Sequence, residues 1–258
     1  MHKDAVFEGP MKAKMNVRII FIEEILGSCP NSAEVYDDFV AHLASDQDRQ
    51  DEIAALGADQ VVENDTTKFL MVDGRPALSN HTWLGFLKEK VGFIKLDDSG
   101  TKKTTASGKL SNYKKRFDNG VTFANKFSIL VLPKGEETGK NQRPLRAQTP
   151  KGERIALASS ITCPARTRTR FTILMTNPEY KKAMVEALDL GRYAGTGQWR
   201  GSGKKGRFLW EEFDDEGNIV GGNTKEAVGA TTKDPDFNEK LISFIESEAV
   251  GQIEEDFE

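Results

Sequence analysis

The chain has 258 residues, 29% of them charged, and a formal net charge of −4, a length that holds one sizeable core with trimmings. No apolar run approaches the ~20 residues of a membrane span, and the opening "MHKDAVFEGPMKAKMN" lacks the apolar stretch of a secretory signal, so a cytoplasmic protein without membrane contact is expected. The net charge conceals a segregation: residues 101–210 carry 23 Lys and Arg against 7 Asp and Glu, while residues 211–258 carry 15 acids against 3 lysines, and a basic centre between acidic ends points to a polyanionic partner.

In chain order, "VRIIFIEEIL" (Val17 to Leu26) is a β-rich run with apolar residues on both faces, which suits a strand in the middle of a sheet. From Ser32 to Leu56 the spacing of Val35, Phe39, Val40 and Leu43 predicts a helical excursion ending on Gly57. "TKFLMVDGRPAL" reads as strands about a tight turn at Asp73-Gly74, and "HTWLGFLKEKVGFI" as a short amphipathic helix with Trp83, Leu84, Phe86 and Leu87 to pack. Residues 97–120 are polar, glycine-bearing and basic, with Lys114, Lys115 and Arg116 in a row, and read as an exposed loop or hairpin.

"VTFANKFSILVL" returns to strand, and Pro133 to Gly139 breaks it. Short strands joined by turns follow, with Arg143 and Arg146 among them. In "ARTRTRFTILMT" alternation places Arg166, Arg168 and Arg170 on one face and Thr169, Phe171, Ile173 and Met175 on the other. Neighbouring guanidiniums are costly to bury, so that face is expected to be wet or bound to anions. Asn177, Pro178 and "EYKKAMVEALDL" then spell a capped helix, Gly191 suits its left-handed end, and "RFLWEEF" reads as a strand.

Between that helix and strand lies "GRYAGTGQWRGSGKKGRF". Its "GSGKKG" matches G-x-G-x-x-G, but a dinucleotide site needs a strand before the motif and a helix after it, and here the order is reversed. A Walker A loop fails as well, because no Ser or Thr follows the lysine. What remains is a turn of open glycine amides (Gly195, Gly197, Gly201, Gly203) bearing Arg192, Arg200, Lys204, Lys205 and Arg207, with Tyr193 and Trp199 either to stack on bases or, for Trp199 equally, to anchor the loop. Cys29 and Cys163 read as reduced thiols, and His2, His42 and His81 have no metal-ligand spacing, so neither metal nor cofactor is expected.

The order of helix, G-x-G loop and closing strand resembles the C-terminal signature of the RAMP superfamily, the repeat-associated RNA-binding proteins of CRISPR systems. "IIFIEEILGS" is similar to the first strand of that fold, "DGRPALSNHTWLGFLKEK" to the segment that opens its first helix, and "CPARTRTRFTILMTNPEYKKAMVEALDLG" to its penultimate strand and helix. The likeness covers most of residues 15–213. Asn80 and His81 stand where that family often has a Ser-Ser pair, and residues 32–65 have no counterpart, which points to a distant relative of the kind a phage or mobile element encodes.

The resemblance implies an α+β fold with an RRM-like or ferredoxin-like antiparallel sheet, helices on one face, a helical insertion near 32–65, a thumb-like basic loop at 97–120 and an acidic extension from residue 214. It also implies binding residues from Trp83 to Lys88 and from Gly195 to Arg207. The expected function is non-catalytic binding of single-stranded RNA or DNA, with protomers oligomerising along the strand. The competing expectations are a metal-independent endoribonuclease using His81 or His42, and a protein that meets a partner through its tail "ESEAVGQIEEDFE".

Overall fold

The centre of the chain's organisation is β1 (Ala13–Phe21), whose Ile19 and Ile20 point to opposite faces and are both buried, as a strand flanked on two sides and covered on two faces requires. The computed structural model describes residues 10–29, 66–98, 103–149 and 152–224, with backbone alone for 145–149 and 152–157. The helix expected from Ser32 to Leu56, His42 and the acidic tail lie outside the described residues.

Six elements form the frame. After β1 come helix α1 (Asn80–Asp97), β5 (Val121–Phe123), β9 (Arg168–Met175), helix α4 (Glu179–Asp189) and β10 (Phe208–Phe213). These strands stand in the order β10-β1-β9-β5, all antiparallel. A β-α-β-β-α-β chain in that order is the ferredoxin-like arrangement, so the expected α+β class is met. β11 (Ile219–Gly222) turns back on β10 and extends the sheet beyond Phe213.

α1 and α4 cover one face. Trp83, Phe86 and Leu87 from α1 and Ala183, Met184 and Leu188 from α4 share a cluster with Val17, Ile19, Phe171, Ile173 and Phe208 of the sheet. Trp83 is fully buried, its ring centroid 4.6 Å from that of Phe171, and its indole N–H donates to Ser128 Oγ at 2.8 Å. Burying one such side chain is worth roughly 2–3 kcal/mol.

The smaller elements differ from the sequence reading in instructive ways. The run Val17 to Leu26 is not one strand: β1 stops at Phe21, and β2 (Ile25–Leu26) pairs with β8 (Gly152–Cys163) in another sheet. The turn between them exposes Glu23 and Glu24 to the glycine-rich loop. β3 (Leu70–Val72) and β4 (Arg75–Ser79) do form a hairpin, with Asp73 at φ 50° and Gly74 at φ 75° as a two-residue turn of that twist needs. α1 runs for 18 residues, longer than the short helix expected. "VTFANKFSILVL" splits at Ala124–Lys126 into β5 and β6 (Phe127–Ile129), which joins β4. β7 (Gly139–Thr149) and β8 make one long hairpin in place of several short strands.

The largest correction concerns the stretch expected as an exposed loop at 97–120, whose described residues 103–120 are largely helical. They carry helices α2 (Ala106–Lys109) and α3 (Tyr113–Gly120), and Phe117 is fully buried beside Tyr180 at 5.8 Å between ring centroids. Carboxylates replace the missing apolar residues: Asp98 accepts from the amide of Thr105 at 2.9 Å and its hydroxyl at 2.7 Å, and Glu186 accepts from the amides of Ala106 and Ser107 at 2.7 and 2.8 Å. The Thr105 and Thr104 donors hold the Asp98 carboxyl far below its ordinary range.

Candidate nucleic-acid interface

α4 ends in a 3-10 turn (Leu190–Arg192), and the glycine-rich loop then runs from Tyr193 to Arg207. Gly191 sits inside that turn and is not a left-handed cap; its close neighbour is the Phe208 ring. The loop is pinched at its base, where the Thr196 amide donates to Gly206 O at 2.9 Å and a Cβ on Gly195 would come within 2.2 Å of Gly206. The Gly206 amide donates to Glu24 O at 2.8 Å, tying the loop to the turn after β1. This is a closed and anchored loop.

Its aromatic residues divide the expected roles among themselves. Trp199, with φ 53°, lies so close over Gly203 that a Cβ there would meet the indole at 2.3 Å, and the Arg143 guanidinium stands 4.6 Å from the ring centroid. Trp199 is therefore the loop's internal anchor. Arg143 reaches it from β7, with Nε and Nη1 buried and without hydrogen-bond partners, and burial lowers its pKa. Phe208 belongs to the core, whereas Tyr193 is 53% exposed, with the Arg192 guanidinium 4.7 Å from its ring. Tyr193 is the most exposed ring of this loop, Trp199 being half-buried.

Most of the loop's cations meet carboxylates from the acidic N-terminal part. Lys205 pairs with Glu24 at 2.6 Å and Arg207 with Glu23 at 2.6 Å. Arg200 donates to Glu89 through Nε at 3.1 Å and Nη2 at 2.8 Å, and through Nη1 to Gly197 O at 3.0 Å. Burial works against the charge of Glu89, but hydrogen bonds from Lys90 and Arg200 outweigh it and keep the pKa below the ordinary value. Lys204 is exposed and without a carboxylate partner among the described residues. The sequence reading missed Glu23, Glu24 and Glu89, although "EE" at the end of the first strand run was the visible signal.

Arg200 and Glu89 close one side of a groove of about 300 Å³, lined also by His81, Thr82 and Gly85 of α1 and by Thr196, Gly197 and Gln198 of the loop. Gly201 and Lys204 are exposed, and a Cβ on Gly201 would meet open space, whereas Gly203 lies under Trp199.

The arginine row is a wet face only in part: Arg166 is exposed, whereas Arg168 and Arg170 are half-buried. Arg166, at φ 69°, falls outside β9 and pairs with Glu136 at 2.7 Å. Arg168 and Arg170 do share a face, opposite Ile20 and Arg18 of β1, but Ile20, Leu209 and the ion pair Arg18–Glu211 on that face are buried, and Arg170 lies 5.5 Å from the Phe213 ring centroid. Half-buried guanidiniums among such buried neighbours exchange part of their water for protein partners. Lys88 pairs with Asp118 at 2.7 Å and so joins α1 to α3. Lys114, Lys115 and Arg116 are exposed on α3, away from the groove, and Arg146 lies in the outer part of β7. Cys163 is buried, which pushes its thiol pKa up to about 12 and leaves it an inert neutral side chain. Among the described residues no group of three potential ligands could hold a metal, and no helix is long and apolar enough to cross a membrane.

No family model and no curated protein matches the chain. Among solved structures it is similar to a chain in a structure of the Type III-B Cmr-beta bound to cognate target RNA, at 12% identity and a TM-score of 0.47, over 78% of this chain and 58% of that one. It is also similar to a chain of a CRISPR RNA-guided surveillance complex, at 10% identity and a TM-score of 0.39, over 91% of this chain and 83% of that one. The chain thus spans less than two thirds of the first of these neighbours.

Proposed function

We propose that the protein binds single-stranded nucleic acid, RNA or DNA, without cleaving it, and that protomers assemble along the bound strand. One observation carries the reading. The two stretches that the RAMP likeness marks as binding segments, around Trp83 to Lys88 and Gly195 to Arg207, are more than a hundred residues apart in the chain and converge on one groove. Exposed Gly85 leaves backbone accessible there, Arg200 can exchange the Glu89 carboxylate for a phosphate, and exposed Lys204 and Tyr193 supply a further cation and a stacking ring elsewhere on the loop. Cations that track the backbone and rings that accept any base bind strands with little sequence readout.

The test is fluorescence anisotropy with labelled oligo-U and oligo-dT, each at two salt concentrations. Affinity is expected to fall steeply with salt, and Arg200→Ala/Lys204→Ala to weaken binding about tenfold while making the salt slope shallower by about 1. Absent or salt-indifferent binding overturns the reading. His81 at the groove rim keeps a metal-independent endoribonuclease in play as a second reading. Recovered oligonucleotide should run intact on a gel, and cleavage that disappears in His81→Ala would install the nuclease instead.

A further inference from the structure

At the other end of the helix layer, a larger hollow of about 820 Å³ lies between α2 and the N-terminal half of α4. Its wall carries Lys109, Arg116, Lys181 and Lys182. The acids in the same wall do little to balance them. Glu186 is committed to the α2 amides and to the Ser107 hydroxyl at 2.6 Å, which leaves Glu179 as the uncommitted carboxylate. Lys181 pairs with Glu212 at 2.5 Å, but Lys109 and Lys182 are exposed with no carboxylate partner among the described residues, and Arg116 reaches Ser111 Oγ at 3.5 Å. A second hollow of about 380 Å³ adjoins the first through Arg116; Lys115, Asn119 and Tyr180 help to line it, and no carboxylate does.

We propose that this double hollow is a second phosphate-binding track, which holds the backbone of a nucleic-acid strand at successive phosphates, apart from the groove at the glycine-rich loop. The shared Arg116 makes the basic surface continuous over more than one phosphate. No aromatic ring lines the larger hollow, so its contacts are to the backbone and not to stacked bases. From Thr82 at the groove to Lys95, whose ammonium donates to the carbonyls of Gly108 in α2 and of Leu110 just after it, α1 spans about 20 Å at ~1.5 Å per residue. A strand must be long to occupy both sites. The ligand class rests on the nucleic-acid reading above; the site itself stands on its own geometry.

The test uses oligo-U of about six and about thirty nucleotides, since single-strand sites run to ~4–16 nucleotides. Each is titrated at two salt concentrations against the wild type, the cleft variant Lys109→Glu/Arg116→Glu/Lys182→Glu and the groove variant Arg200→Ala/Lys204→Ala. The cleft variant should lose at least about tenfold in affinity for the long oligonucleotide, with a salt slope shallower by about 2 at ~0.7 per phosphate contact, and should bind the short one as the wild type does. Long-oligonucleotide affinity and slope unchanged, in a variant whose circular dichroism matches the wild type, overturn the track. If charge reversal prevents folding, Lys109→Ala/Lys182→Ala takes its place with the same expectation at a smaller loss. Loss in the cleft variant with none in the groove variant leaves the track standing and fells the groove; a wild type that binds neither length overturns both. Displacement of the long oligonucleotide by millimolar inorganic phosphate would overturn the track in favour of a single-anion pocket.

Discussion

Two glycines of the loop illustrate what a single missing Cβ does. A Cβ on Gly206 would stand 2.0 Å from Thr196 O, and the residue's φ of +64° is itself unfavourable for a side chain; a Cβ on Gly201, two residues past Trp199, would meet open space. Gly206→Ala must therefore break the pinch that closes the loop and release the Glu24 tie, at a cost of about 2 kcal/mol or more. Gly201→Ala should leave stability and oligonucleotide affinity within error of the wild type. Thermal melts of the two variants, with anisotropy on each, check this, and equal effects would mean that the loop is not held at its base. The contrast also shows where sequence reading stops: both glycines belong to the same "GSGKKG", and nothing in those letters distinguishes a backbone crossing from an open turn.

At the scale of elements, segments with strong periodicity were legible and those built on polar support were not. The apolar spacing of "HTWLGFLKEKVGFI" and "EYKKAMVEALDL" located both helices of the layer, and apolar residues on two faces located the central strand. Residues 97–120 misled because they have few apolar letters, yet their helices are fixed by the distant carboxylate of Glu186 and by one ring, Phe117, set against Tyr180. Long-range partners of that kind leave no local trace. The arginine row was legible only in part: alternation assigns Arg168 and Arg170 one face, but their half-burial depends on neighbours such as Ile20 and Leu209 in other strands. If α3 is docked as the contacts indicate, Phe117→Ala should cost about 3–5 kcal/mol, as truncating a buried ring does. Chemical denaturation would read that loss, whereas an exposed loop would return almost no change.

Across the whole molecule, the charge segregation of the chain is partly undone by folding. Acids of the N-terminal part, Glu23, Glu24 and Glu89, neutralise Arg207, Lys205 and Arg200 in the loop, while Lys109, Lys114, Lys115, Arg116 and Lys182 have no carboxylate partner among the described residues at the other end of the helix layer. A protein of net charge −4 then meets a polyanion through local positive surface while its remaining acids repel the same ligand. Residues 250–258 carry four of those acids, Glu254, Glu255, Asp256 and Glu258, and no cation. Deleting them should tighten oligonucleotide binding several-fold at low salt, by lowered repulsion or by removal of a competitor for the cations. The gain should shrink as salt rises, because the screening length contracts to about 8 Å at physiological ionic strength. Anisotropy titrations of the full chain and the deletion across a salt series read the difference directly. An identical affinity at low salt would mean that these acids never approach the binding surface, and a gain that persists at high salt would mean that the segment acts by contact and not through its field.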